Sequence, residues 1–189
     1  MSAAEEKKTK REEFLAEIKK VAEKASKMTP EELKFNYKGI LYPSVLCSEA
    51  TFQAMEKLEA RQDDVLIVTY PKCGTNWTIQ ILHEMLFEMH NKEPTLVQAM
   101  LEFGNPEKFE YMNQQPSPRV ISSHLTCKNI PKTFFEKKTK MLLILRNPKD
   151  TAVSYYHFSN KNPVLPKYES WDLFFKEYYN WKCNLWIVL

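Results

Sequence analysis

Asp64-Val65-Leu66-Ile67-Val68-Thr69-Tyr70-Pro71-Lys72-Cys73-Gly74-Thr75-Asn76-Trp77 is the stretch in which an apolar, β-branched run gives way to the start of an amphipathic helix. The run lacks the polar–apolar alternation of a half-exposed strand, which predicts a strand buried on both faces. Downstream, Ile81, Leu82, Met85, Leu86 and Met89 recur at helical spacing. A helix start carries unpaired backbone N–H groups and a partial positive charge, so this junction suits a phosphate. Lys72 adds a full charge, and Thr75 and Asn76 add side-chain donors. The stretch therefore reads as an anion cradle with a lysine in reach of the reacting group. A nucleotide-kinase loop would place its lysine after the second glycine of G-x-x-x-x-G-K-[ST]; here Gly74 stands alone and Lys72 precedes it. An ordinary strand–turn–helix junction is the alternative reading of these residues by themselves.

Size and composition narrow the rest. A chain of 189 residues forms one domain and buries roughly 70% of its extended surface. A net charge of +3 is too small to argue for nucleic acid but suits an anionic ligand. Cys47, Cys73, Cys127 and Cys183 lie far apart with no C-x-x-C pair, which argues against a disulfide framework or a zinc site and for a reducing compartment. No metal is suggested by the sequence. The charged start, Glu5 to Glu13, has no signal-peptide character, and the apolar stretches are too short to cross a bilayer, so the expectation is a cytoplasmic protein without membrane partners.

Outward from the cradle, residues from about Ala3 to Lys27 read as one helix with a narrow stripe of Phe14, Ile18, Val21, Ala22 and Ala25. Thr29-Pro30-Glu31-Glu32 has capping-box form, predicting a short second helix. Phe35 to Pro43 reads as an aromatic loop, Ser48 to Leu58 as a helix, and 94–118 as a mixed stretch. Arg119 to Ser122 and Met141 to Leu145 read as further strands, and Pro148 opens a helix running to about His157. This order predicts an α/β fold with a parallel sheet flanked by helices. Ligands of such sheets sit at the C-terminal ends of the strands, where Lys72, His124 and Arg146 all follow strand ends. The expected organisation is a helical lead-in over 1–34, a main domain over 35–179, and a divergent tail over 180–189.

Two segments together resemble the nucleotide signatures of the cytosolic sulfotransferases. Val65 to Trp77 ends in a run close to that family's Thr-Tyr-Pro-Lys-Ser-Gly-Thr-Thr-Trp, and Arg146-Asn147-Pro148-Lys149-Asp150-Thr151-Ala152-Val153-Ser154-Tyr155-Tyr156-His157-Phe158 fits its second signature throughout. Arg119 to Leu125 resembles the segment carrying the family's histidine. Cysteine and asparagine in the first loop suggest the sixth cytosolic sulfotransferase family. The resemblance implies a P-loop-like fold and transfer of a sulfonate group from 3′-phosphoadenosine 5′-phosphosulfate (PAPS) to a small-molecule hydroxyl acceptor of phenol, iodothyronine or steroid type.

It also implies roles for particular residues. Lys72 stabilises the charge that develops on the leaving nucleotide. Cys73, in place of the family serine, lies in the loop; Gly74, Thr75, Asn76 and Trp77 hold the 5′-phosphate, with Trp77 stacked on adenine. Arg146 and Ser154 hold the 3′-phosphate. His124 is the general base; a lone histidine is otherwise more often a packing residue, the reading given to His83, His90 and His157. Ser123 and Ser154 sit in no G-x-S-x-G elbow, so a serine nucleophile is not expected. Phe35, Tyr37, Tyr42, Phe103, Phe109 and Tyr111 are candidates for an aromatic acceptor pocket, with core packing as the alternative.

The chain departs from the family pattern at three points. Ser122 stands where many relatives have lysine, Asn76 replaces a common threonine, and the late Arg-Lys-Gly-x-x-Gly-Asp-Trp-Lys region and the short dimerisation segment have no counterpart in these residues. The resemblance therefore implies a C-terminally truncated member, with the homodimer left open. It also leaves two functions standing, an active sulfotransferase or a non-catalytic nucleotide-binding or regulatory fragment of one.

Overall fold

A computed structural model describes residues 19–90, 100–162 and 164–180. Most of the expected leading helix, the tail from 181 on, Cys183 and the side chain of His90 lie outside the described residues. Residues 19–25 are helical, and Ala25 at the end of that turn is buried in the main core.

The capping box at Thr29 forms reciprocally: the Thr29 N–H donates to Glu32 Oε2 at 2.7 Å and the Glu32 N–H to Thr29 Oγ1 at 3.3 Å. It closes only a single turn, however, and the expected second helix is replaced by strand β1, Lys34–Tyr37. The expected aromatic loop is a hairpin, with β1 antiparallel to β2, Ile40–Pro43. Its two-residue turn, Lys38-Gly39, has φ of 51° and 83°, the paired positive angles that match strand twist in tight hairpins. The aromatic residues here serve packing, with the Tyr37 and Tyr42 rings 4.4 and 4.8 Å from that of the buried Phe52 on helix α1, Glu49–Met55. Ser48 caps α1 by accepting from the Thr51 N–H.

Strand β3, Val65–Thr69, is buried at every residue, as its unbroken apolar pattern requires. Helix α2, Thr75–His90, follows it, and then α3, Lys108–Gln114. Next come β4, Val120–Ser123; α4, Lys132–Glu136; and β5, Lys140–Ile144. Helix α5, Pro148–Lys161, starts at Pro148 with Asn147 as its cap, and α6 is Trp171–Tyr179.

The central sheet is parallel, in the order β4-β3-β5. Strand β5 has no partner on its outer edge among the described residues, and Leu143 and Leu145 are 56% and 69% exposed. At the opposite end from the cradle, Asp64 and Arg119 fasten the starts of β3 and β4. Arg119 Nε donates to Asp64 Oδ1 at 2.8 Å and Nη2 to Oδ2 at 2.5 Å, with both side chains buried. The remaining guanidinium hydrogens go to the carbonyls of Glu59 and Met112 and to Asn113 Oδ1.

Candidate active site

The sheet register gathers the site. Val68 pairs with Ser123, so the next residues along, Thr69 and His124, lie side by side. Thr69 also pairs with Ile144 on the other flank, which aims the chain after β5 toward the same end. Lys72 to Trp77 therefore begin at the end where His124 follows β4 and Arg146 follows β5.

His124 is held from two sides. Its Nδ1–H donates to the Thr69 carbonyl at 2.8 Å, with Thr69 Oγ1 3.0 Å away. A carbonyl only accepts, so this contact fixes the hydrogen on Nδ1 and leaves Nε2 as the ring's basic nitrogen. Burial pulls the imidazole down from 6.5 to about 4, the Thr69 carbonyl opposing this, so the ring is uncharged at neutral pH. From behind, the His124 N–H donates to Glu102 Oε1 at 2.9 Å, and Ser123 Oγ donates to Glu102 Oε2 at 3.0 Å. Glu102 is wholly buried, and desolvation raises its pKa. Lys108 is threaded into the same loop, where its ammonium donates to the carbonyls of Met100, Leu101 and Phe103 and burial lowers its pKa to about 8. Phe103 meets the His124 ring edge-on at 6.4 Å. Phe109, another of the suggested pocket aromatics, is buried in the core, and Tyr111 is exposed on α3.

The cradle is a tight turn with two left-handed residues, Lys72 at φ 70° and Gly74 at φ 104°. The space where a side chain would stand on Gly74 is open, so the glycine is required by its backbone angle and not by crowding. Lys72 carries its left-handed conformation at a cost of roughly 1–2 kcal/mol, a strain of the kind that collects at functional sites. Its ammonium lies 4.1 Å from the centre of the Phe158 ring, and burial, then the nearby Arg146 charge, lowers its pKa. Arg146 donates from Nη1 to the Lys72 carbonyl at 3.1 Å, tying the end of β5 to the turn. Cys73 is a half-buried free thiol with Sγ 3.7 Å from Thr151 Oγ1 on α5.

Thr75 is buried at the first position of α2, and its hydroxyl lies 2.6 Å from Thr69 Oγ1. Asn76 and Trp77 are exposed, Trp77 by 80%. Ser154 is half-buried on α5, three residues after Thr151 and four before Phe158, the two α5 residues that meet the cradle turn. The structure thus links Thr75 to His124 through Thr69, ties Arg146 to the Lys72 carbonyl and sets Cys73 against Thr151, whereas the Trp77 side chain is exposed. His83 is buried on α2, where desolvation lowers its pKa, and His157 is exposed.

Sequence reasoning missed Thr69, Glu102, Lys108 and Phe158. An acidic residue inside Met100-Leu101-Glu102-Phe103 was the one available signal, since a charge in an apolar run needs a buried partner.

Comparison with known proteins finds one family. A family model for the sulfotransferase domain matches residues 62–187. Sulfotransferase 6B1 of Mus musculus is 43% identical over 166 residues, covering 87% of this chain and 55% of the relative. Its Danio rerio counterpart is 45% identical over 166 residues, covering 87% and 56%. The chain spans about half the length of the curated relatives it matches. Among solved structures, mouse sulfotransferase SULT7A1 complexed with PAP aligns with a TM-score of 0.66 at 33% identity, over 77% of this chain and 50% of that one. Retinol dehydratase in complex with androsterone and inactive cofactor PAP aligns at 0.61 and 18% identity, over 87% and 60%, a likeness of fold.

Proposed function

Because the chain belongs to the sulfotransferase family, we propose that its site is built to move a sulfonate group from PAPS to a hydroxyl acceptor. The observation that carries this reading is the Nδ1–H of His124 donated to the carbonyl of Thr69, three residues before Lys72, the first left-handed residue of the cradle turn. It sets an uncharged imidazole, with Nε2 as its base, beside an anion cradle.

The reaction is an in-line displacement at sulfur in which positioning and charge stabilisation dominate. His124 Nε2 takes the acceptor's hydroxyl proton as the new oxygen–sulfur bond forms. Electron density moves onto the bridging oxygen of the departing nucleotide, and the Lys72 ammonium stabilises it there. The N–H groups at the start of α2, with Thr75 and Asn76, hold the 5′-phosphate, and Trp77, exposed on the first turn, stacks on adenine. Arg146 and Ser154 take the 3′-phosphate, for which a guanidinium fork is an apt donor. The open space at Gly74 and the two cations fit a doubly phosphorylated nucleotide. SULT7A1 and retinol dehydratase complexed with PAP, adenosine 3′,5′-bisphosphate, add support.

The alternative is a site that binds the nucleotide with little turnover. Calorimetry with PAP and with adenosine 5′-monophosphate, followed by transfer from labelled PAPS to a panel of phenols, separates the two. Binding of PAP in preference to the monophosphate supports the nucleotide site. Transfer that His124→Ala abolishes supports the catalytic reading, and binding without transfer supports the second. Equal affinity for the two nucleotides refutes the 3′-phosphate assignment to Arg146 and Ser154.

A further inference from the structure

The proposed chemistry gives no task to the Thr69 hydroxyl, although it occupies the centre of the site. Thr69 ends β3 and is fully buried. Its Oγ1 lies 2.6 Å from Thr75 Oγ1 and 3.0 Å from His124 Nδ1, while its own carbonyl lies 2.8 Å from that same nitrogen. One hydroxyl therefore stands between the histidine ring and the first residue of the cradle helix.

The direction of this chain follows from its one member that cannot donate. The Thr69 carbonyl requires a donor, so Nδ1 carries the hydrogen. Nδ1 then offers no lone pair to the Thr69 hydroxyl, whose hydrogen goes to Thr75 Oγ1. Thr75 accepts it and keeps its own hydrogen for a group outside the strand. With the opposite tautomer every link reverses: the carbonyl loses its donor, Thr69 donates to the ring, and the Thr75 hydrogen turns inward. The cradle would then meet an anion with a lone pair. Both threonines are buried, so solvent does not reorient either hydroxyl at random.

We propose that Thr69 is a positioning residue whose hydroxyl couples the tautomer of His124 to the cradle, so that Thr75 presents a hydrogen to the bound phosphate. The inference rests on the nucleotide reading above and adds a link between the two halves of the site, the base and the phosphate grip. Occupation of the cradle polarises the chain and is felt at the ring 55 residues away in sequence.

The test uses the 189-residue chain labelled with ¹⁵N-histidine, its Thr69→Val and Thr69→Ser variants, and PAP as the probe. Valine keeps the shape and removes the hydroxyl; serine restores it. In the unaltered, ligand-free chain the His124 signals should show hydrogen on Nδ1 and a bare Nε2, and the reverse tautomer would overturn the coupling whatever the nucleotide does. Thr69→Val should bind PAP about tenfold more weakly, the scale of one lost charge-assisted hydrogen bond, and Thr69→Ser within about twofold of the unaltered chain. The His124 signals should move on PAP addition in the unaltered chain and in Thr69→Ser, and stay still in Thr69→Val. Undiminished affinity and ring response in Thr69→Val overturn the coupling while leaving the nucleotide site intact; an unaltered chain that ignores PAP overturns both. Should Thr69→Val fail to fold, Thr75→Val breaks the same chain from the other end, and a ring response that survives there overturns the proposal.

Discussion

Acidification from pH 7 to pH 4 should destabilise the protein through His124, by an amount the structure sets. In the unfolded chain the imidazole titrates near 6.5; in the fold, burial holds it near 4. Between those values the unfolded state binds more protons, so stability falls as pH falls. The contribution is fully present above about 6.5, declines through the interval, and is exhausted below about 4, where both states are protonated. The displacement corresponds to about 3 kcal/mol in total, a large share of a domain's net stability. Urea unfolding at half-unit pH steps, for the unaltered chain and for His124→Gln, isolates the contribution of this ring. Glutamine can still donate to the Thr69 carbonyl, and Glu102 and His83, which titrate in both proteins, cancel from the difference. The stability of the unaltered chain relative to His124→Gln should fall by about 3 kcal/mol on going from pH 7 to pH 4. Parallel curves would refute the argument that this ring is desolvated and neutral. The functional corollary is a base that stays unprotonated throughout the physiological range, so that kcat/KM should show no inflection near 6.5 from this group.

Other consequences follow from the same contacts. Asp64→Ala strands the buried Arg119 guanidinium and should cost about 3–5 kcal/mol in urea unfolding, without a specific effect on PAP affinity in the folded fraction, because the pair lies a full strand length from the cradle. Gly74→Ala meets no steric obstacle but forces an L side chain to φ 104°, so thermal unfolding should register a loss of about 1–3 kcal/mol. Lys72→Met should raise the dissociation constant for PAP at least about tenfold in calorimetry while leaving the unfolding midpoint unchanged or higher, since a partly desolvated charge disappears. A lower midpoint with unchanged PAP affinity would identify Lys72 as a packing residue held by Phe158.

The local patterns carried much of the architecture. Val65–Val68 has no polar residue to offer solvent, and β3 folded as a strand buried at every position, while Pro148 behind Asn147 opened α5 as a proline at a first helical position should. The cradle was legible because its chemistry is contiguous, with a cation, a left-handed glycine and the helix start within a few residues. Where a local signal was weighed without its surroundings it misled. The capping box at Thr29 formed its hydrogen bonds, yet the chain left the helix within one turn, because Phe35 and Tyr37 gain more by packing on Phe52 from a hairpin.

The amino-acid order alone thus determined a parallel α/β sheet, a tight turn and helix start after its central strand, and membership of the sulfotransferase family. Only the tertiary structure decided how His124 is held. The carbonyl and hydroxyl of Thr69 reach His124 across 55 residues because strand register places them abreast, and Glu102 grips the same residue from a loop 22 residues away. Register is fixed by the sum of packing on both faces of the sheet, a property distributed over the whole core and written in no single stretch of sequence.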